Sequence, residues 1–228
     1  MARLQLLVFP ILAFPIPQVS GLSPQVFFPP PLPPSMSELL QLPGIRNRAR
    51  PLSVKAWHHM IANGLAPKRA ELLEGVIVEK MSKSLLHTQL LTQLLYALKA
   101  ALGETCWVRP ESPITIHDSE PEPDISVVSG KFSDYLEHPT TALLVAEISV
   151  STLAEDRAMA AIYASAGVKE YWLLNAPARE VEIFRRPEGG VYLEKEVVTA
   201  GQTLTCQSLP QVSLTQADLW AGLPPAGE

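Results

Sequence analysis

The sequence contains little cysteine, with only Cys106 and Cys206 in 228 residues. The two residues lie far apart, and neither has a second cysteine or a histidine at the spacing of zinc ligands. A structural zinc site is therefore not indicated. The pattern favours two unrelated small core residues over a disulfide bond, and the protein is expected in a reducing, cytoplasmic environment.

Positive charge is also scarce, since the net charge is −5 and the isoelectric point is about 5.6. The chain as a whole does not attract nucleic acid, so any such binding would need a local basic patch. Internal repeats are lacking, which excludes a solenoid or propeller. The length suits one domain with a substantial core and an appendage.

Proline is abundant, with 22 residues, and it interrupts the apolar N-terminal stretch at Pro10, Pro15 and Pro17. This stretch is too short and too interrupted to span a bilayer as a helix. Three interpretations of residues 1–35 stay open: a translated leader upstream of a natural start at Met36, a disordered Pro-rich tail, and a cleaved export signal. We therefore expect a disordered Pro-rich segment over residues 1–35 and one folded domain over residues 36–228.

Hydrophobic periodicity predicts alternating helices and strands in the rest of the chain. Helices are predicted at 53–63, 84–103, 153–166 and 215–220, strands at 106–109, 113–117, 125–128, 142–148 and 171–174, and hairpins at 71–81 and 181–198. The strand at 142–148, the following helix and the strand at 171–174 are typical of a parallel right-handed crossover. The predicted fold class is α/β.

Two acidic residues stand at the ends of apolar strands, Asp124 at the start of one and Glu147 near the end of another. A buried ionised carboxylate is costly unless a cation or hydrogen bonds meet it. Mg²⁺ or Mn²⁺ bound by both side chains is one interpretation, to which Glu71 or Glu74 could add a carboxylate. The other is that Asp124 merely ends a strand and Glu147 caps a backbone turn.

A histidine, His87, falls in the first turn of the predicted helix 84–103. A histidine at such a place is usually a surface or packing residue, and a catalytic role is the alternative.

Several segments together resemble the Uma-type family of restriction-endonuclease-like proteins, a group within the PD-(D/E)XK nuclease superfamily. The resemblance covers roughly residues 52–219. It rests on the hairpin segment 71–79, the helix start 84–87, Glu122-Pro-Asp124, the strand segment 145–149 and the segment 163–172.

The resemblance implies a mixed central sheet flanked by helices and DNA cleavage that depends on Mg²⁺ or Mn²⁺. The hairpin predicted at 181–198 makes a C-terminal β-hairpin part of the expected fold. It assigns Asp124 and Glu147 as metal ligands and Glu71 as a third catalytic acid. DNA is the implied substrate, and a homodimer is an expectation, since many nucleases of this class are dimers. No membrane association is expected.

The catalytic lysine of the superfamily motif is the main departure. The position two residues after Glu147 is Ser149, and the position on the following helix that carries a lysine in Uma-type proteins is Met159. A lysine would orient the attacking water or stabilise developing negative charge, and methionine can do neither. The sequence offers three candidate substitutes but does not place them: Lys80, Lys83 and Lys169.

Three functions follow from these patterns. The first is a metal-dependent endonuclease, impaired by the missing lysine. The second is a catalytically inactive module with the nuclease fold that serves in binding or regulation. The third, a secreted protein unrelated to nucleic acid, requires that the N-terminal stretch be a true export signal.

Overall fold

The computed structural model describes residues 42–46 and 48–223. The predicted Pro-rich segment 1–35 lies outside this range. Contacts divide the chain into two units, Met1–Ala49 and Arg50–Glu228. In the first unit, the described residues form the short helix α1, Pro43–Arg46. The predicted domain start at residue 36 stays a prediction.

The second unit contains four α-helices and ten strands within the described residues. The helices are α2 Val54–Ala62, α3 Leu85–Leu102, α4 Leu153–Ser165 and α5 Gln216–Leu219. The strands are β1 Ala70–Leu73, β2 Val76–Glu79, β3 Cys106–Pro110, β4 Ile125–Ser129, β5 Leu144–Ser149, β6 Glu170–Asn175, β7 Glu180–Glu188, β8 Val191–Val198, β9 Thr203–Cys206 and β10 Leu209–Thr215.

A six-stranded mixed sheet, in the order β3-β4-β5-β6-β7-β8, forms the centre of this unit. Strands β5 and β6 are parallel and are joined by α4, whereas the other neighbouring pairs are antiparallel. The predicted parallel crossover is thus present, and β7 and β8 form the predicted hairpin. The predicted α/β class, with a mixed central sheet flanked by helices, is confirmed.

The side chains of the central strands alternate between two buried clusters. Leu144, Ala146 and Ile148 of β5 pack with the leucines of α3. Val145 belongs to the other cluster, with Tyr163 of α4. A strand with helices on both of its faces reads as a continuous apolar run, which is why β5 was predictable. Since alternate residues share a face, Glu147 lies on the side of Val145 and α4.

The β1–β2 hairpin forms a separate two-stranded sheet, and a two-residue turn at Glu74 and Gly75 connects its strands. Both turn residues have positive φ, of 47° and 75°, as a type I′ turn requires. Gly75 also touches the chain at Pro51, because a Cβ atom at residue 75 would lie 2.2 Å from the Pro51 Cβ. Glycine is therefore needed here for two reasons.

One predicted strand is wrong, since residues 113–117 form no strand. The amide of Ile114 donates to the carbonyl oxygen of Pro121 at 3.0 Å, and the amide of Thr115 donates to that of Pro139 at 2.9 Å. These hydrogen bonds go to two different loops, so no ladder with a single partner strand forms. The antiparallel hairpin of β9 and β10 was not predicted.

Among the helices of the described ranges, none is both long and apolar enough to cross a membrane.

Candidate active site

The sheet register brings Asp124 and Glu147 together. Ile125 of β4 pairs with Ala146 of β5 in antiparallel register. The next position along this register sets Asp124 opposite Glu147. The Asp124 amide donates to Glu147 Oε2 at 3.0 Å, and the Ile148 amide donates to Asp124 Oδ2 at 2.8 Å. Each acid is thus fixed by the backbone of the neighbouring strand.

Asp124 is buried and meets two basic side chains. His87 Nε2 lies 2.9 Å from its Oδ2, and Lys83 Nζ donates to its Oδ1 at 2.7 Å. Burial opposes ionisation of this carboxyl group. The hydrogen bond and charge of His87 and the charge of Lys83 outweigh that effect, so they hold the Asp124 pKa below its ordinary value.

Both basic residues are placed by the start of α3. The Ser84 hydroxyl caps this helix by accepting from the His87 amide at 3.2 Å, which fixes His87 in the first turn. Lys83 immediately precedes the cap. Its pKa is raised: burial lowers it, but the charge of Asp124 and hydrogen bonds to Asp124 and Glu111 more than offset that effect.

Glu147 is partly buried. Among the described residues, no basic side chain forms an ion pair with it. The Tyr163 hydroxyl donates to Glu147 Oε1 at 2.6 Å. Burial, and then the negative charge of Asp124, raise the pKa of Glu147 well above its ordinary value. The pair therefore contains one carboxyl group that ionises easily and one that resists ionisation.

A cavity of about 550 Å³ opens onto both acids. Its lining is strongly acidic, with eight carboxyl groups and two lysines, Lys80 and Lys83, among the described residues. The acidic residues are Glu71, Glu74, Glu79, Glu122, Asp124, Glu147, Glu155 and Asp156. A polyanion such as DNA would be repelled from this cavity unless cations compensate part of the charge.

Glu71 lines the same cavity but belongs to a second ionic group. Its Oε2 accepts from the Glu122 amide at 3.0 Å and lies 3.7 Å from Lys80 Nζ. Lys80 also donates to Glu122 Oε2 at 3.1 Å. Burial raises the pKa of Glu71, although Lys80 acts against it. The structure thus brings Glu71 to the cavity, beside Lys80 and Glu122.

The structure also shows where the two expected positions of the motif lysine and its three candidate substitutes lie. Met159 lines the cavity from α4, while Ser149 is buried at the end of β5. Of the three candidate substitutes, Lys83 contacts Asp124. Lys80 lies near Glu71, and Lys169 is exposed outside the cavity lining.

The donor set of this site fits Mg²⁺ or Mn²⁺. These ions prefer oxygen ligands, and Mg²⁺ is commonly held by one or two carboxylates while it keeps several waters. Asp124 and Glu147 supply such a pair, and a cation beside them would relieve the repulsion that raises the Glu147 pKa. Within residues 42–46 and 48–223, no group of three or more His, Cys, Asp or Glu side chains is arranged to hold an ion.

Two contacts of the site were not predicted from the sequence. The hydrogen bond from the Tyr163 hydroxyl to Glu147 was not expected. The choice of Lys83 among three lysines was left open. Both contacts depend on how a helix or a loop packs onto the sheet end, and local sequence patterns do not determine this.

The profile of the Uma2 family, described as "Putative restriction endonuclease", matches residues 60–217. Among solved structures, the chain is similar to one from Anabaena variabilis described as "a putative nuclease belonging to DUF820". The similarity has a TM-score of 0.64 at 17% sequence identity and covers 76% of this chain and 100% of that one. It shows a shared fold. No curated protein matches the chain significantly.

Proposed function

Because the chain belongs to the Uma2 family of restriction-endonuclease-like proteins, we propose that it hydrolyses phosphodiester bonds of DNA with a divalent cation held by Asp124 and Glu147. The observation that carries this proposal is the meeting of the two acids where β4 begins and β5 ends, on one cavity. The family and the fold support a nuclease-like function. DNA as the substrate, the metal requirement and the roles of the residues are parts of our proposal.

The chain's own residues have distinct tasks in this proposal. His87 keeps Asp124 ionised and oriented, and Lys83 balances the charge of Asp124 before a metal ion binds. Tyr163 holds Glu147 towards the cavity. Glu71, beside Lys80, is the assisting acid in the lining of the same cavity. A bound Mg²⁺ or Mn²⁺ would lower the pKa of a coordinated water and offset charge that develops on the phosphate oxygens.

The acidic cavity supports a metal requirement. Eight carboxyl groups face two lysines there, and a phosphate group would bring further negative charge. Added cations would reduce that repulsion before any chemistry takes place.

We also keep the predicted homodimer and the cytoplasmic location as proposals.

A plasmid nicking assay with Mg²⁺ or Mn²⁺ tests this function. The parent is compared with a double variant, Asp124→Ala plus Glu147→Ala, and with Asp118→Asn as a control at an exposed position outside the cavity lining. We expect the parent and the control to nick DNA and the double variant not to. Equal nicking by the parent and by Asp124→Ala would show that the assigned site is wrong.

Calorimetric titration with the same ions tests the metal site independently of cleavage. The parent should bind an ion and the double variant should not. Binding of metal and DNA without cleavage would instead favour the alternative function, a catalytically inactive binding or regulatory module. Met159 is the observation in favour of that alternative, because it occupies the cavity wall where an ammonium group would be useful.

A further inference from the structure

Lys83 joins two carboxylates at the edge of the cavity. Its Nζ donates to Asp124 Oδ1 at 2.7 Å and to Glu111 Oε1 at 2.5 Å. The other oxygen of Asp124 is already engaged by His87 and by the Ile148 amide. Oδ1 is therefore the Asp124 oxygen whose partner is a long side chain, 27% exposed, from the loop between β2 and α3.

We propose that the Lys83 ammonium occupies the place on Asp124 Oδ1 that a divalent cation takes over, and that the displaced ammonium remains at the cavity as the phosphate-facing cation that Met159 cannot supply. This inference rests on the proposed metal-dependent function, because it requires that Asp124 bind metal.

Electrostatic repulsion is the reason for the exchange. An ammonium group and a divalent ion on the same carboxylate oxygen would repel each other at contact distance. The hydrogen bonds from His87 and from the sheet backbone hold Asp124 in place, so Lys83 is the partner that moves.

Glu111 gives the displaced ammonium a second partner. The Glu111 amide donates to the Asp124 carbonyl oxygen at 3.1 Å, so Glu111 is fixed next to the site by the backbone. Its side chain is half exposed, at 51%. Lys83 can therefore leave Asp124 and keep one of its two ion pairs, and it stays within reach of a phosphate group bound in the cavity.

Calorimetric titration with Mn²⁺ tests the exchange. Lys83→Met removes the competing charge and keeps an unbranched side chain, and Lys169→Met makes the same change at an exposed lysine outside the cavity lining. We expect Lys83→Met to bind Mn²⁺ about tenfold more tightly than the parent, and Lys169→Met to equal the parent. Lys83→Gln serves as a second neutral variant, with circular dichroism as the check of folding.

Equal or weaker Mn²⁺ binding by the folded Lys83 variants would overturn the exchange while leaving Asp124 as a ligand. Absence of any binding that depends on Asp124 would overturn the exchange and the metal site together. The two failures are thus distinguishable by the Asp124→Ala titration.

Cleavage at saturating Mn²⁺ tests the second part. Lys83→Met should lower nicking about a hundredfold despite its tighter metal binding, and adding Met159→Lys to it should restore most of the loss. A merely structural lysine would not separate metal affinity from rate in this way. Unchanged nicking by Lys83→Met would overturn the role of the ammonium. If the parent itself does not nick DNA, the proposed function fails and the titration still decides the exchange.

Discussion

Two glutamates on the neighbouring parallel strands β5 and β6 meet opposite conditions at opposite ends of the sheet. Glu170 begins β6 and is buried against Arg185, whose Nε donates to its Oε2 at 3.2 Å. The Ser208 amide also donates to Glu170, at 3.0 Å. Glu147 near the end of β5 faces another acid, Asp124, and opens onto a cavity.

Under the proposed function, this difference separates a structural carboxylate from a functional one. Glu170 has a cation and several hydrogen-bond donors, so its burial is compensated within the chain. Burial, and then the negative charge of Asp124, leave Glu147 with a raised pKa. A partly buried acid whose charge the chain itself does not balance, beside a cavity, indicates a place for a cation from solution.

The largest expected effect concerns Glu147→Gln, which should lower metal-dependent nicking about a thousandfold, or about 4 kcal/mol of transition-state stabilisation. The side chain keeps its size and loses a charge that burial disfavours, so the free energy of unfolding should not decrease. Nicking rate and urea denaturation of the same preparation measure both quantities. A rate within twofold of the parent would contradict the role given to Glu147.

The reverse result is expected for Glu170→Gln. It leaves Arg185 without its buried partner, and breaking such a pair costs about 3 kcal/mol of stability, at the low end of the usual range because Glu196 also binds Arg185. Urea denaturation should show this loss, while the nicking rate at a temperature where the variant is folded stays near that of the parent. A loss of activity without a loss of stability would contradict the structural role given to Glu170.

Met159→Lys adds a positive charge to the cavity onto which Glu147 opens. We expect nicking to rise about tenfold, since an ammonium group in the cavity would stabilise charge on the phosphate. Met159→Leu is the control, because it keeps the apolar packing. No rise in a folded variant that still binds metal would show that residue 159 does not face the reacting groups.

The smallest expected effect is a pH dependence of stability in metal-free protein. The folded-state pKa of Glu147 is raised, so from its ordinary value of 4.5 upward the folded protein binds more protons than the unfolded chain. Stability should therefore fall as the pH rises through this window, by less than about 1.4 kcal/mol per pH unit for this one group. Urea denaturation between pH 5 and 8 should show a shallower slope in Glu147→Gln, and identical slopes would contradict the assignment.

Much of the fold was predictable because the relevant signals are local. Ser53 and Ser84 cap the helices that follow them, and alternate or continuous apolar runs mark β5 and β6. The segment 113–117 was wrongly predicted as a strand because its apolar residues are buried by loops and not by strand pairing. The hairpin β9–β10 carries a weaker pattern and escaped prediction.

The two acidic residues of the candidate site could be predicted from the sequence, whereas the basic side chains around them could not. Asp124 and Glu147 stand out because a carboxylate at the end of an apolar strand is costly. The position of Lys83 depends on a loop conformation set by tertiary contacts with Asp124 and Glu111. Three lysines were therefore equivalent candidates in the sequence, and of these three the structure places Lys83 against Asp124.

The reciprocal hydrogen bonds between Asp124 and the backbone of β5, and between Glu147 and the Asp124 amide, have a consequence for how such proteins diverge. Moving either acid would remove a side-chain hydrogen bond to the backbone of the neighbouring segment, whereas a basic group on a surrounding loop or helix can be exchanged for one that reaches in from another direction. A methionine at position 159 is thus a feature that the architecture accommodates, whereas a change at either acid also removes a contact between β5 and the start of β4.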